Sequence, residues 1–522
     1  MSRSHKRAVF AFSALLAISA VLAACSGAPS ASGSASGQTD DIKRGGTLNF
    51  QLLRDADAGY DPALGIESTV YTINDSMFDT LLEVQPDGEL VPSLATEWTI
   101  SDDELTYTFK IRSGVKFHNG REMTADDVKF TIDRIKDPAT KSPRQSVYAL
   151  VDNVEAPDAT TLIIHLSEPY APLLAVLADI SSGIVPKEAA DDLVNHPVGT
   201  GPFKFVEWVR DDHVKVEANP DYWREGLPYL GGITYTFNGD ANARAASLRS
   251  GTIDFLWNAP PELHDVLSKD STLQTYGGKG TQSFQYMLLN MQKEPFSDVK
   301  VRQAIYWALD REEIQQISRP GTTTSVTTGF LPPEHWAGVK ETMYHQDYDK
   351  AKQLLSDAGY ADGFPMEILA LVGSDFHIRS AQAVQQQLKP LGIEVTVTPV
   401  DSGQQTARRN AGEYDAIISG FSGTIDPDER FTQTFATGGG TNFADFSDPQ
   451  VDDLVAQARQ VSDRDKRAEL YREAAKRISE VGPMAFTYNY HFYDALQGYV
   501  KGYTFNPQLV DYRAVREIWL DK

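Results

Sequence analysis

The stretch of this 522-residue chain with the most chemical promise is Gly420-Phe421-Ser422-Gly423-Thr424, which runs on into Ile425-Asp426-Pro427-Asp428-Glu429-Arg430-Phe431. A serine two residues after a glycine has the outline of a nucleophile elbow, but that motif closes on a glycine and leads straight into a helix. Here Thr424 stands at the closing position and a proline-bearing loop follows, so a secreted hydrolase built on Ser422 is the weaker of two function classes. Other side chains offer binding chemistry. Arg379 could hold a carboxylate through both arms of its guanidinium, or simply be a solvated arginine in the first turn of a helix. Asp426 is a full negative charge, and equally a natural turn residue before Pro427. His335, His345 and His377 could coordinate a metal chelate, yet the ten histidines are scattered, and no zinc-protease helix, P-loop or dinucleotide fingerprint is present. Asp55, Asp57 and Asp61 lack the spacing and terminal glutamate of a calcium loop. The residues imply no bound metal and no cofactor.

The one cysteine, Cys25, follows a basic start (Arg3, Lys6, Arg7) and an apolar run from Ala8 to Leu22. That run has the length of a signal-peptide core and is shorter than the roughly 20 residues that span a bilayer. Leu22-Ala23-Ala24-Cys25 resembles the lipobox of bacterial lipoproteins, which implies cleavage after Ala24 and lipidation of Cys25. Residues 25–45, rich in Ser, Ala and Gly, read as the lipidated cysteine and a flexible linker with a reach of about 20 Å. The net charge of −24 becomes −27 once the three cations before Cys25 are removed, which argues against a nucleic-acid partner. A body of this length with 41% hydrophobic residues has ample core for two or more lobes and needs no disulfide.

The binding residues must be positioned by alternating strands and helices. Gly46–Leu53 reads as a strand, and Leu105, Tyr107, Phe109 and Ile111 alternate with polar residues as in a strand with one buried face. Thr124 and Asp127 form a capping-box pattern ahead of the Val128, Ile132, Ile135 stripe. Beyond Thr281 the spacing predicts helices after Asp298 and over Ala351–Ala358, then a strand over Met366–Val372, a helix over Ile378–Leu391 and strands over Ile393–Val400 and Ala416–Ser419. That succession predicts a parallel sheet. Asp448-Pro449 opens a further helix, Ala468–Val481 is a strongly charged one, and Met484 to Lys522 is aromatic and strand-like.

The run Leu90-Val91-Pro92-Ser93-Leu94-Ala95-Thr96-Glu97-Trp98, then Tyr107 to Arg112, Gly114 to Gly120 and Thr124 to Val128, resembles the family 5 extracellular solute-binding proteins, the peptide and nickel receptors of ABC importers. Pro197 to Phe203, Val301 to Ala304, Ala308 to Arg311, Ala351 to Leu355 and Ala358-Gly359-Tyr360 extend the likeness over nearly the whole body. The resemblance implies an α/β, two-lobed periplasmic-binding-protein-like fold with a hinge, type II, of the large peptide-receptor class. Lobe I would comprise 46–280, with an extra subdomain at about 76–195; lobe II would comprise 281–488, and 489–522 would return to lobe I. It further implies a small solute, peptide first, with an opine, a nickel chelate or an oligosaccharide as alternatives. ABC permease subunits in the membrane would be the partners, and the receptor would act as a monomer held outside the cell membrane by Cys25. In peptide receptors of this kind a ligand-facing aromatic is followed three residues later by a carboxylate that pairs with the peptide amine. Phe421 occupies the first position and Thr424 the second, with Ser422 between them and Asp426 just beyond. Tyr60 and Asp61, past the first strand, and Tyr488 and Tyr490, near the return to lobe I, fall where the family's cleft walls lie.

Overall fold

Leu48, Phe50 and Leu52 alternate along Thr47–Leu52 and bury one face of that strand completely, which makes it the centre of a sheet. The computed structural model describes residues 42–522 apart from 66, 279–280, 373 and 508–514. The signal segment, Cys25, the linker up to residue 41 and the expected lobe boundary at Gly280 lie outside the described residues. Ile42–Lys522 forms one compact unit.

Thr47–Leu52 pairs in parallel with Gly232–Phe237 on one side and Phe255–Leu256 on the other. Four further pairings complete a seven-stranded sheet that includes Leu273–Gly278 and, from the far end of the chain, Phe492–Gln497. A separate antiparallel sheet of four strands, between Ala95 and Leu166, carries helix Ala125–Lys136, whose Thr124/Asp127 capping box forms as the sequence predicts. Asp79 ties this subdomain to the first sheet. Its buried carboxylate accepts from Thr200 Oγ1 at 2.8 Å, Trp223 Nε1 at 2.9 Å and Tyr222 OH at 3.1 Å, and burial raises its pKa.

The second large sheet has the order Thr323–Ser325, Met484–Tyr490, Phe284–Leu289, Ala416–Phe421, Pro365–Leu371, Glu394–Val400. Phe284–Leu289 is buried at every position, with Met287 and Leu289 in one core and Tyr286 and Leu288 in another, so both faces of the sheet are covered. The expected parallel pairing holds for the three strands of the strand-helix-strand succession and does not extend to the rest of the sheet. Pro365–Leu371 is parallel to both neighbours, but Phe284–Leu289 runs antiparallel to Ala416–Phe421 and to Met484–Tyr490. Helical crossovers dictate direction only for strands they connect, whereas these two enter from or leave toward the other sheet. Asn489 and Tyr490 still pair within the second sheet, two residues past the expected return at 488.

The two sheets are joined by crossing segments that bond to each other. Tyr490 N donates to Ser283 O at 2.9 Å, Thr281 Oγ1 donates to Tyr490 O, and His491 N donates to Thr322 O at 2.8 Å. At Gly277, with φ +122°, a Cβ would stand 2.0 Å from Phe492 O, so only glycine lets the two crossings lie this close.

Candidate functional site

In open α/β sheets, ligands bind beyond the carboxyl ends of parallel strands. The parallel strands of the first sheet end at Leu52, Phe237 and Leu256; those of the second end at Leu371, Val400 and Phe421. The loop that leaves Phe421 reaches across to the subdomain, so the cleft lies between these two sets of strand ends. The lobes touch at its rim: Arg144 Nη1 donates to Glu429 Oε1 at 2.6 Å, Ala171 N to Arg459 O at 2.8 Å, and Ser462 Oγ to Glu104 Oε1 at 2.6 Å. Ile425 packs onto the subdomain core, and the Arg459 guanidinium lies 5.0 Å from the Tyr170 ring centre. A cavity of about 440 Å³ remains between Tyr170 and Leu150 on one side and Glu429, Gln433 and Arg459 on the other.

Within the loop, the residues singled out from the sequence divide into two groups. Phe421 and Ser422 stand at the strand end. The Phe421 ring stacks on Tyr286 at 5.1 Å, the Arg430 guanidinium lies 3.9 Å from its centre, and Arg430 Nη2 donates to the Ser422 carbonyl at 3.2 Å. Among the described residues no histidine is hydrogen-bonded to the Ser422 hydroxyl. Thr424 Oγ1 turns back to donate to Asp426 O at 2.8 Å. Asp426 caps the short helix Pro427–Arg430, accepting from Asp428 N at 2.9 Å, and its carboxylate is paired with Arg467 Nη2 at 2.7 Å. Neither residue therefore offers an unengaged carboxylate to an incoming amine.

The remaining candidates are engaged within single lobes. Tyr60 is fully buried and donates to Asp55 Oδ1 at 2.8 Å; Asp61 is buried in an ion pair with Arg134. Asp55 also accepts from Trp208 Nε1 at 2.9 Å and Asp211 N at 2.8 Å, so its oxygens serve the protein itself. Among the described residues no group of three or more His, Cys, Asp or Glu side chains could hold a metal ion. Arg379 gives Nε and Nη2 to Ser318 O at 3.2 and 2.8 Å. Tyr488 is buried, its hydroxyl 3.4 Å from Ser380 Oγ. The Tyr490 hydroxyl occupies the space over Gly420, where a Cβ would lie 2.1 Å from it. His335 is half-buried away from these groups, and desolvation of its ring pushes its pKa down to about 3.

Sequence reasoning missed Arg144 and Arg459, which with Glu429 hold the lobes together, and the pairing of Arg467, Asp426 and Asp428 that braces the loop within the second lobe. Asp428 is 2% exposed, with Tyr471 OH donating to it at 3.2 Å and Arg459 Nε 3.4 Å away. Burial lifts its pKa to about 6, against the pull of Arg459 and with the help of Asp426. A carboxyl raised in this way favours folding most below its unfolded value near 4, and that contribution is lost as pH rises through 6. Asp428→Asn should therefore flatten the loss of stability between about pH 4 and 6 by up to roughly 3 kcal/mol. Urea midpoints of variant and wild type at pH 4.5 and 7.5 test this, and identical pH slopes would contradict it.

Two lobes joined by paired crossing strands, with a cleft at facing strand ends, define the hinged class of periplasmic-binding-protein folds. The family model for Bacterial extracellular solute-binding proteins, family 5 Middle, matches residues 89–443. The chain belongs to this family, and it is a solute-binding protein of an ABC importer. The Glutathione-binding protein GsiB of Pectobacterium atrosepticum is 32% identical over 440 residues, 82% of this chain and 85% of the relative. Among solved structures, the ABC transporter-associated periplasmic binding protein DppA from Helicobacter pylori in complex with peptide STSA has a TM-score of 0.81 at 28% identity, covering 92% of this chain and 99% of that one. AgaA from A. tumefaciens R10, in complex with agropinic acid, has a TM-score of 0.79 at 29% identity, covering 91% and 99%. No helix among the described residues is long and apolar enough to cross a membrane.

Proposed function

We propose that this protein captures a peptide-like solute between its lobes and presents the closed complex to the membrane subunits of its importer without chemically changing it. The observation that carries the peptide-like reading is the end of strand Ala416–Phe421. Its pairing with Pro365–Leu371 stops at Ala370↔Ile418, whereas pairing with Phe284–Leu289 continues to Phe284↔Phe421. Ser419, Gly420 and Phe421 therefore keep one main-chain edge that the sheet does not use, the kind of edge on which an extended ligand main chain adds as a strand. The relatives named for glutathione and crystallised with peptide STSA support the same class.

A second reading, an opine-like acid, is favoured by Thr424 and by the engagement of Asp426 with Arg467, since a buried ammonium needs a full charge partner. The relative bound to agropinic acid supports it. Lobe I is formed by 46–280, with its subdomain at about 76–195, and by the return near 489, and lobe II by 281–488; membership of the two large sheets supports this division with the return two residues later, after Tyr490. Cys25 carries the lipid that holds this monomeric receptor at the outer face of the cell membrane.

Calorimetry against tri- to pentapeptides and their amino-acetylated counterparts tests the reading. Saturable binding is expected, weakened less than about tenfold by acetylation, because no loop carboxylate is available to the amine. Absence of saturable binding to every peptide would overturn the peptide class, and product formation abolished by Ser422→Ala would overturn the receptor reading.

A further inference from the structure

Phe421 ends the unused main-chain edge that begins at Ser419, and the protein itself already covers its ring. Tyr286 stacks on that ring at 5.1 Å with 26° between the planes, and the Arg430 guanidinium lies over it, 3.9 Å from its centre. A cation, and not a bare ring, is therefore what stands above Phe421. Arg430 is half-buried at the end of the short helix Pro427–Arg430. Its hydrogen bonds are few and long: Nη2 to Ser422 O at 3.2 Å, Nη1 to Thr434 Oγ1 at 3.5 Å, and none from Nε, an atom closed off from solvent.

The other arginines of this loop and rim each have an acid. Arg144 has Glu429 at 2.6 Å, Arg467 has Asp426 at 2.7 Å and Arg459 has Asp428 at 3.4 Å. Among the described residues no carboxylate forms an ion pair with Arg430. Glu429, its neighbour in the chain, favours its charge but is committed to Arg144, and the charge of Arg144 opposes it. Thr424, at the place in the loop where an acid would offset this charge, is neutral, and its hydroxyl is turned to Asp426 O. A guanidinium taken partly out of water is costly while its N–H groups lack acceptors, and an aromatic face answers only part of that need. Its planar fork suits what is missing: the face can rest on a ring while the edge gives two parallel N–H groups to a carboxylate.

We propose that Arg430 sets the charge the cleft accepts beside this strand end: the solute group that lies against Phe421 and Ser422 is acidic, its oxygens complete the guanidinium shell, and an ammonium at the same place is turned away. The inference rests on the peptide-like reading and narrows it to solutes that bring an acidic side chain to the end of Ala416–Phe421. Rejection is as much a part of the device as attraction, because a cationic group would meet Arg430 with no acid in the loop free to offset it. In the sequence Arg430 is one more charge in Asp426-Pro427-Asp428-Glu429-Arg430, and only the fold brings it over the Phe421 ring.

The mature protein, wild type and Arg430→Gln, is titrated by calorimetry with amino-acetylated tripeptides that carry a single Glu, Gln or Lys at each position in turn, and in parallel with N-acetylglutamate and N-acetylglutamine by thermal shift at matched ionic strength. At one position the wild type is expected to prefer Glu to Gln by roughly 10-fold, and Gln to Lys by a similar factor. Arg430→Gln should bring both ratios below about twofold. Arg430→Lys should keep the order and Arg430→Glu should reverse it, which an arginine with a merely structural role would not do. If no peptide binds, but N-acetylglutamate stabilises the wild type more than N-acetylglutamine and Arg430→Gln removes that difference, the peptide reading fails and the role of Arg430 stands. The same Glu, Gln, Lys order in Arg430→Gln as in the wild type, a wild type indifferent to charge at every position, or no response to any of these probes would overturn the proposal.

Discussion

Replacing Arg144 with methionine is expected to weaken solute binding by about 10- to 100-fold while leaving both lobes folded. Arg144 is buried on the subdomain, and its bond to Glu429 at 2.6 Å crosses between the lobes. Burial alone would raise the Glu429 pKa, but the charge and hydrogen bond of Arg144 hold it below the usual range. When the lobes separate, both groups recover water, so the strength of this pair counts toward closure and hardly toward folding. With methionine at 144, closing would bury Glu429 opposite an apolar chain, a cost of about 2–3 kcal/mol charged directly against affinity. Asp179, 3.9 Å from Arg144, would lose a partner within its own lobe, a smaller effect. Calorimetry gives the affinity and small-angle scattering the lobe separation; the variant should remain more open at solute concentrations that close the wild type. Glu429→Gln should act in the same direction. Unchanged affinity in both variants would mean that the rim contacts do not contribute to closure.

Arg467→Met should act on folding instead, lowering stability by about 3–5 kcal/mol. Arg467 is 6% exposed and supplies charge to Asp426, while Tyr471 links it to Asp428. Burial would lower its pKa, but the Asp426 charge outweighs that and raises it. Removing it leaves two carboxylates close together in a buried setting with only Arg459 nearby. For a protein of this size that loss corresponds to a drop in Tm of about 3 to 5 °C. Combining it with Asp426→Asn should recover part of the loss, because the second change removes the charge left unpaired. A Tm within 1 °C or so of wild type would show that the pair carries little net energy.

The elements were largely legible in the sequence because their signals are local. Alternation marks Thr106–Ile111, Asp448 caps its helix from the residue before Pro449, and the Thr124/Asp127 box needs only three residues to specify itself. The antiparallel strands of the second sheet were missed because direction there is set by where the chain arrives from. The site was less legible for a related reason. Arg144 and Glu429 are 285 positions apart, and no periodicity connects a loop in the subdomain with a turn in the other lobe. Arg467 fell just before the charged helix expected over Ala468–Val481; the helix begins at Arg464, and the spacing of Arg467 to Tyr471, Ala474 and Ile478 places it on the buried stripe. Asp426 was recognised as a charge near the cleft, but its partner lies 41 residues further on.

Capture of an intact peptide-like solute is tested most directly by native mass spectrometry of the mature protein, stripped of ligand by unfolding and refolding and then incubated with a defined library of short peptides. A saturable one-to-one complex with intact library members, free of shortened products, is the predicted result. Failure to retain any peptide at saturating concentration, or the appearance of cleaved fragments, would contradict it.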